Sequence, residues 1–139
     1  MAVHTGTIDL STPGEIEVLD ITPNVSKIVT ESGLKDGIVC VFVPGATGAI
    51  TTIEYESGLV ADIKTALERL FPKDLKYMHE LAWHDGNGHS HIRASFLGPS
   101  ISVPFKDRKL ILGTWQQIIF LELDNKRHTR NLIVQLVGE

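Results

Sequence analysis

Only one cysteine, Cys40, occurs in the 139 residues, so no disulfide can form within the chain. Apolar residues make up 42% of the sequence, yet no stretch approaches the roughly 18 consecutive ones a membrane-spanning helix needs. The opening residues Met1-Ala2-Val3-His4-Thr5-Gly6 lack the basic region and apolar run of a secretory signal. A soluble, cytoplasmic protein with no membrane partner is expected. Lys and Arg number 13 against 17 Asp and Glu, a formal charge of −4, and no run of Lys or Arg occurs. With no electrostatic footprint for a phosphate backbone, nucleic acid is not the expected partner. Repeats, low-complexity tracts and linkers are missing too, and the length fits one domain over 1–139 with a proper core.

What the chain does have is histidine in one place. His79, His84, His89 and His91 put four of its six histidines inside thirteen residues. Imidazole is the commonest metal ligand and titrates near neutral pH, so such crowding points to a metal or proton-transfer site. His79 and His84 are five apart. On a helix that separates them by about 140°, which rules out the zinc-protease pair, where the histidines are four apart and share a face. His89 and His91, two apart, would point to one side of an extended segment, and His79 could approach from upstream as a third nitrogen ligand. A fourth position would stay open for water, a phosphate oxygen or a leaving group. Solvated or helix-capping histidines near Ser90, and metal-free acid–base work, are the other two readings.

Alternation and turn residues predict strands over 5–10 and 15–21, joined as a hairpin through Ser11-Thr12-Pro13-Gly14. Thr22 as N-cap, Pro23 at the first helical position and Gly33 as the stop predict a helix over 23–32. The run 37–43 reads as a central strand with Cys40 as a core thiol, and 49–55 as another strand. Ser57 then caps a helix carrying Leu59, Val60, Ile63, Ala66, Leu67, Leu70 and Phe71, broken at Pro72. Residues 73–88 read as irregular, and 90–97 as a short helix stopped by Gly98-Pro99. Strands follow at 100–105, 109–113, 115–124 and 130–138. Ile118, Ile119, Phe120 and Leu121 are consecutive, so both faces of that strand need covering, by another layer or by a neighbouring subunit.

Three further patterns bear on chemistry. The loop Pro44-Gly45-Ala46-Thr47-Gly48 offers backbone N–H groups and the Thr47 hydroxyl to an anion, but lacks the Gly-Lys-Ser/Thr ending of a nucleotide loop and reads equally as a tight turn. Asp85-Gly86-Asn87-Gly88 lacks a third glycine and a preceding strand, so it reads as a turn. Gly113-Thr114-Trp115-Gln116 sets polar groups beside a very apolar run, where they would tie subunits together or line a polar pocket under a flat ligand. Glu122 and Arg130 are placed to face each other across a final hairpin, as a surface ion pair of little worth.

Asn87-Gly88-His89-Ser90-His91-Ile92, Gly98-x-Ser100, Gly113-Thr114-Trp115-Gln116 and the terminal Val137-Gly138-Glu139 together resemble the YjbQ family. The resemblance implies an α+β fold, a layered, mainly antiparallel, sandwich-like sheet with two to three helices. It implies a homotrimer with sites near subunit boundaries, and a weak secondary thiamine-phosphate synthase activity that condenses a pyrimidine pyrophosphate with a thiazole phosphate. His79 and His91 match the family's histidines, and His89 would be the third ligand of a divalent metal, zinc first among them. Glu54, Gln116 and Glu122 are then expected to serve catalysis. Thr114, Trp115 and Arg130, with Thr47 and Ser90, are expected to hold the substrate and its phosphate. One departure stands out: many relatives carry a histidine and small hydroxyl residues after the central strand, where this chain has Gly45, Ala46 and Thr47. The alternative is a non-catalytic trimer that binds a phosphorylated metabolite or a divalent metal. In a purely structural reading the histidines only stitch the trimer.

Overall fold

A computed structural model describes residues 1–139. In chain order it holds β1 (Ala2–Thr12), β2 (Glu17–Asp20), α1 (Thr22–Glu31), β3 (Gly37–Phe42), β4 (Gly48–Ile53), α2 (Ser57–Leu70), α3 (His79–Trp83), α4 (Gly88–Leu97), β5 (Ser100–Lys106), β6 (Lys109–Leu110), β7 (Gln117–Glu122) and β8 (His128–Gly138). The strands form two antiparallel sheets, one of five strands in the order β1-β8-β3-β5-β6 and one of three in the order β2-β7-β4. The fold is α+β, as the sequence led one to expect, with four helices because the five-residue α3 forms inside the stretch read as irregular. No helix is long and apolar enough to cross a membrane.

Side-chain alternation explains the layering. Val39, Val41 and Val43 of the β3 segment, with Leu132, Val134 and Leu136 of β8, are wholly buried and meet Ile50, Ile118 and Phe120 from the smaller sheet and Val25 and Val29 from α1. The odd positions of β7, Ile119 and Leu121, point the other way and pack with Val18, Ala49, Leu67 of α2 and Ala94 of α4. The consecutive apolar run in β7 is therefore covered on both faces by layers of its own chain, and no neighbouring subunit is needed for it. Each such side chain removed from water contributes about 1.5–3 kcal/mol, so β7 is the element on which both layers depend.

Four local expectations change. β1 and β2 do not pair as a hairpin: β1 runs against β8 from Ala2↔Gly138 to Thr12↔His128, while β2 pairs with β7 in the other sheet. The Pro13-Gly14 turn thus carries the chain from one sheet to the other, since a turn signal does not say which strands will pair. Thr22 does not cap α1; its hydroxyl accepts from the N–H of Ile118 at 2.8 Å and so ties the helix entrance to the start of β7. Glu56, not Ser57, caps α2, its carboxylate accepting from the N–H groups of Gly58 and Leu59 at 2.8 and 2.5 Å. Cys40 is half-buried and lies outward between the exposed Ile38 and Phe42, so it is not a core thiol.

Candidate functional site

Where β4 begins and β7 ends, a buried polar cluster sits at the edge of an apolar core. Glu122 is wholly buried and Arg130 6% exposed. Arg130 Nε donates to Glu122 Oε1 at 2.8 Å, and Nη2 donates to Glu122 Oε2 at 2.5 Å and to Thr47 Oγ1 at 2.9 Å. The two residues lie in different sheets, not across a hairpin, and the pair is internal, not on the surface. Thr12 Oγ1 completes the carboxylate's partners, donating to Glu122 Oε1 at 2.5 Å. Burial pushes the Glu122 carboxyl up, but the hydrogen bonds from Arg130 and Thr12 and the charge of Arg130 outweigh it and hold the group below its ordinary value.

A second buried carboxylate adjoins the first. Asp124 accepts from Thr47 Oγ1 at 3.2 Å, Asn87 Nδ2 at 3.2 Å, the N–H of Asn125 at 2.7 Å and the ring Nε2 of His128 at 2.5 Å. Burial again opposes ionisation, and His128, Asn87 and the backbone donor again prevail, so Asp124 also stays below its ordinary value. Through these bonds Asp124 joins the 44–48 loop, the start of α4 and the β7–β8 connection.

Against this cluster, a cleft of about 400 Å³ opens between the 44–48 loop and α4, lined among others by Gly45, Ala46, Gly48, His91, Ser95 and Pro99. That volume is in the range of small-molecule sites. None of its lining residues is acidic. The ring of His79, from α3, lies 4.3 Å from that of His91, centroid to centroid. Burial first and the nearby His79 second hold His91 below its ordinary pKa, so it is a neutral base at neutral pH. His79 Nε2 lies 3.5 Å from Asp85 Oδ1.

His89 does not join them. The segment is helical from Gly88, so residues two apart are turned about 200° from each other and face opposite sides. His89 is wholly buried and its Nε2 meets Glu15 Oε2 at 2.6 Å. Lys73 Nζ sits 2.8 Å from Glu15 Oε1, and Arg93 holds the carbonyl of Phe71 and the carboxylate of Glu68 close by. This is a tie between the β1–β2 connection, the segment after α2 and α4. The expected ligand set of His79, His89 and His91 is therefore not assembled, and no three His, Cys, Asp or Glu side chains are grouped to hold a metal. Ser90 faces inward, wholly buried, and does not line the cleft.

The remaining candidates lie at the opposite end of the smaller sheet. Register pairs Gly48 with Glu122 at one end of β4 and Ile53 with Gln117 at the other. Five residue steps along a strand separate the ends by about 17 Å. Glu54, Thr114, Trp115 and Gln116 are all exposed there; Trp115 is 73% exposed, and Gln116 Nε2 donates to Thr52 Oγ1 at 3.1 Å. Within one chain the expected site is thus divided. Thr47, Glu122, Arg130, His79 and His91 gather at one end, and the Gly-Thr-Trp-Gln segment and Glu54 stand at the other. Thr12, Glu15, Asn87, Asp124 and His128 were not foreseen. Asp124 and His128 are four apart around a turn, a spacing that hinted at contact, whereas Thr12 and Glu15 reach their partners only through strand order.

An α+β protein of two antiparallel sheets, with a histidine-lined cleft beside a buried Arg–Glu pair, is the class that fold and site define. The chain belongs to the UPF0047 protein YjbQ-like family, whose model matches residues 6–139. A UPF0047 protein of Methanothermobacter thermautotrophicus is 42% identical over 139 residues, which is 100% of this chain and 95% of the relative. The UPF0047 protein YugU of Bacillus subtilis is 34% identical, covering 95% of this chain and 98% of its own. The crystal structure of a YbjQ-like protein of unknown function from Sulfolobus solfataricus P2 superposes with a TM-score of 0.89 at 36% identity, over 99% of this chain and 100% of that one.

Proposed function

We propose that the cleft between the 44–48 loop and α4 takes a phosphorylated small molecule, with His91 as its acid–base group and His79 beside it. The observation that carries this is His91, with His79 4.3 Å away, lining a cleft of small-molecule size that has no acidic lining residue; burial and His79 hold its imidazole below its ordinary pKa. The reaction implied by the family resemblance is condensation of a pyrimidine pyrophosphate with a thiazole phosphate, with release of pyrophosphate, and it is the transfer to assay first. Three histidines of one chain do not converge on a point, so no step of this reading runs through a divalent ion. His91 would move the proton, Thr47 and the Arg130–Glu122 pair would keep the loop in place, and the non-catalytic alternative uses the same groups for capture alone.

The assay is product formation over many turnovers by the parent and by His91→Asn. Product in excess of sites, lost in the variant, supports the enzyme; stoichiometric uptake with no product supports the binder. Retained turnover in His91→Asn contradicts the role given to His91. Zinc content of the same preparations by elemental analysis tests the metal separately.

The assembly proposed is a homotrimer. Ile38, Phe42 and Val137 are 56%, 39% and 42% exposed on the outer face of the five-stranded sheet and, with Cys40 and Ile133, line an apolar hollow there. A second copy on this face would cover that surface, and assembly would be a way to bring the Trp115 end of one chain toward the cleft of another. Sedimentation should give a trimer, and Ile38→Asp with Val137→Asp should dissociate it. A monomeric parent overturns this.

A further inference from the structure

The Arg130 guanidinium is used incompletely. Nε and Nη2 make three bonds to Glu122 and Thr47, while Nη1 carries two N–H groups with no protein acceptor. Arg130 is only 6% exposed, yet Nη1 is not among the side-chain atoms shut away from solvent, so its N–H groups are open to an acceptor from outside the chain. Immediately over it is Gly45. A Cβ placed on Gly45 would lie 3.3 Å from Nη1, so any side chain there would rest on this nitrogen. Gly45 is itself exposed and lines the cleft, and its φ of +118° is a conformation that L side chains rarely adopt. Glycine takes this turn without strain and also leaves the guanidinium's last donor edge open, where the histidine of many relatives would set a side chain.

We propose that Arg130 Nη1, reached through the gap at Gly45, is an oxyanion subsite for the terminal phosphate of a small phosphorylated metabolite, and that Gly45 is the residue which determines this specificity. The inference rests on the cleft being the binding site, and it assigns where in that cleft the anion goes. Glu122 already balances the charge of Arg130, so recognition comes from two directed N–H donors held rigidly by the ion pair, not from a free cation. No carboxylate lines the cleft, and the two that adjoin Arg130 are already engaged, Glu122 by Arg130 and Thr12 and Asp124 by His128 and Asn87. A side chain larger than hydrogen at 45 closes the subsite while leaving His91 in place, which separates phosphate recognition from proton transfer.

The test uses the full chain labelled with 15N at arginine and histidine, titrated with inorganic phosphate and followed by NMR, beside Gly45→Ala titrated calorimetrically. Phosphate should move the Arg130 Nη signals together with those of His91, and Gly45→Ala should weaken phosphate binding tenfold or more. The spectrum of the unsubstituted protein needs no variant to fold, so a destabilised Gly45→Ala would not decide the matter. Phosphate that moves His91 and leaves Arg130 unmoved overturns the subsite and leaves the cleft reading standing. Phosphate that moves neither overturns both. An unchanged affinity in a folded Gly45→Ala overturns the role of Gly45.

Discussion

Replacing Arg130 with methionine removes three hydrogen bonds at 2.5–2.9 Å and leaves the wholly buried Glu122 carboxylate with only Thr12 and the N–H of Asp124. Breaking a buried pair by deleting one partner destabilises by about 3–5 kcal/mol, because the surviving charge stays desolvated. For a domain of this length that corresponds to a fall in Tm of roughly 10–20 °C. Glu122→Leu combined with Arg130→Met should be less damaging than Arg130→Met alone. In the double variant Thr47 still donates to Asp124, and the Thr12 hydroxyl turns its one proton to the His128 carbonyl at 3.2 Å, so only the Asp124 N–H loses its partner. Urea unfolding of the four proteins at one chain concentration closes the cycle. A loss below about 1 kcal/mol in Arg130→Met, or a double variant as unstable as the sum of the singles, would refute the idea that this pair is internal and mutually dependent.

Gly88→Ala should destabilise by about 1–3 kcal/mol, since the added Cβ would stand 2.4 Å from Tyr77 Cβ and force apart α4 and the segment leading to α3; a urea midpoint unchanged from the parent contradicts that packing. Acid should act in a defined window. The folded values of Glu122 and Asp124 lie below their ordinary 4.5 and 3.8, so their contribution is full above those values and is lost as pH falls through the lower folded ones. His91 adds a loss that begins as pH drops below its ordinary 6.5, because the unfolded chain takes up that proton first. Urea midpoints measured from pH 8 to pH 3 check both, and a flat profile opposes them. His89→Leu should loosen the β1–β2 connection by removing the 2.6 Å contact to Glu15 and leaving it Lys73 and the more distant Arg93, read as faster amide exchange around Glu15; unchanged exchange there opposes that tie.

Much of the fold was legible because periodicity is a local property. The alternation of Val39, Val41 and Val43, the proline at the entrance to α1 and the unbroken apolar run of β7 each carry their own physical cause. Partnership between strands is not local. Nothing near Pro13-Gly14 indicates that β1 will pair with β8 from the far end of the chain. The same limit shaped the site. Glu122 and Arg130 were paired correctly from their spacing, but as a hairpin surface contact, since their burial follows from two sheets closing on one another. His89 and His91 share a side only in an extended segment, and the short helix expected over 90–97 begins two residues earlier, at Gly88, which turns them apart. Trp115 illustrates the converse, a recognisable signature whose exposed position in one chain gives it no partner there.

Calorimetric titration of the full chain with inorganic pyrophosphate, beside His91→Asn, tests the central claim most directly. Saturable binding near one per chain, weakened in the variant, is the result expected of a phosphate-binding cleft lined by His91. No binding by the parent, or equal binding by both proteins, would contradict it.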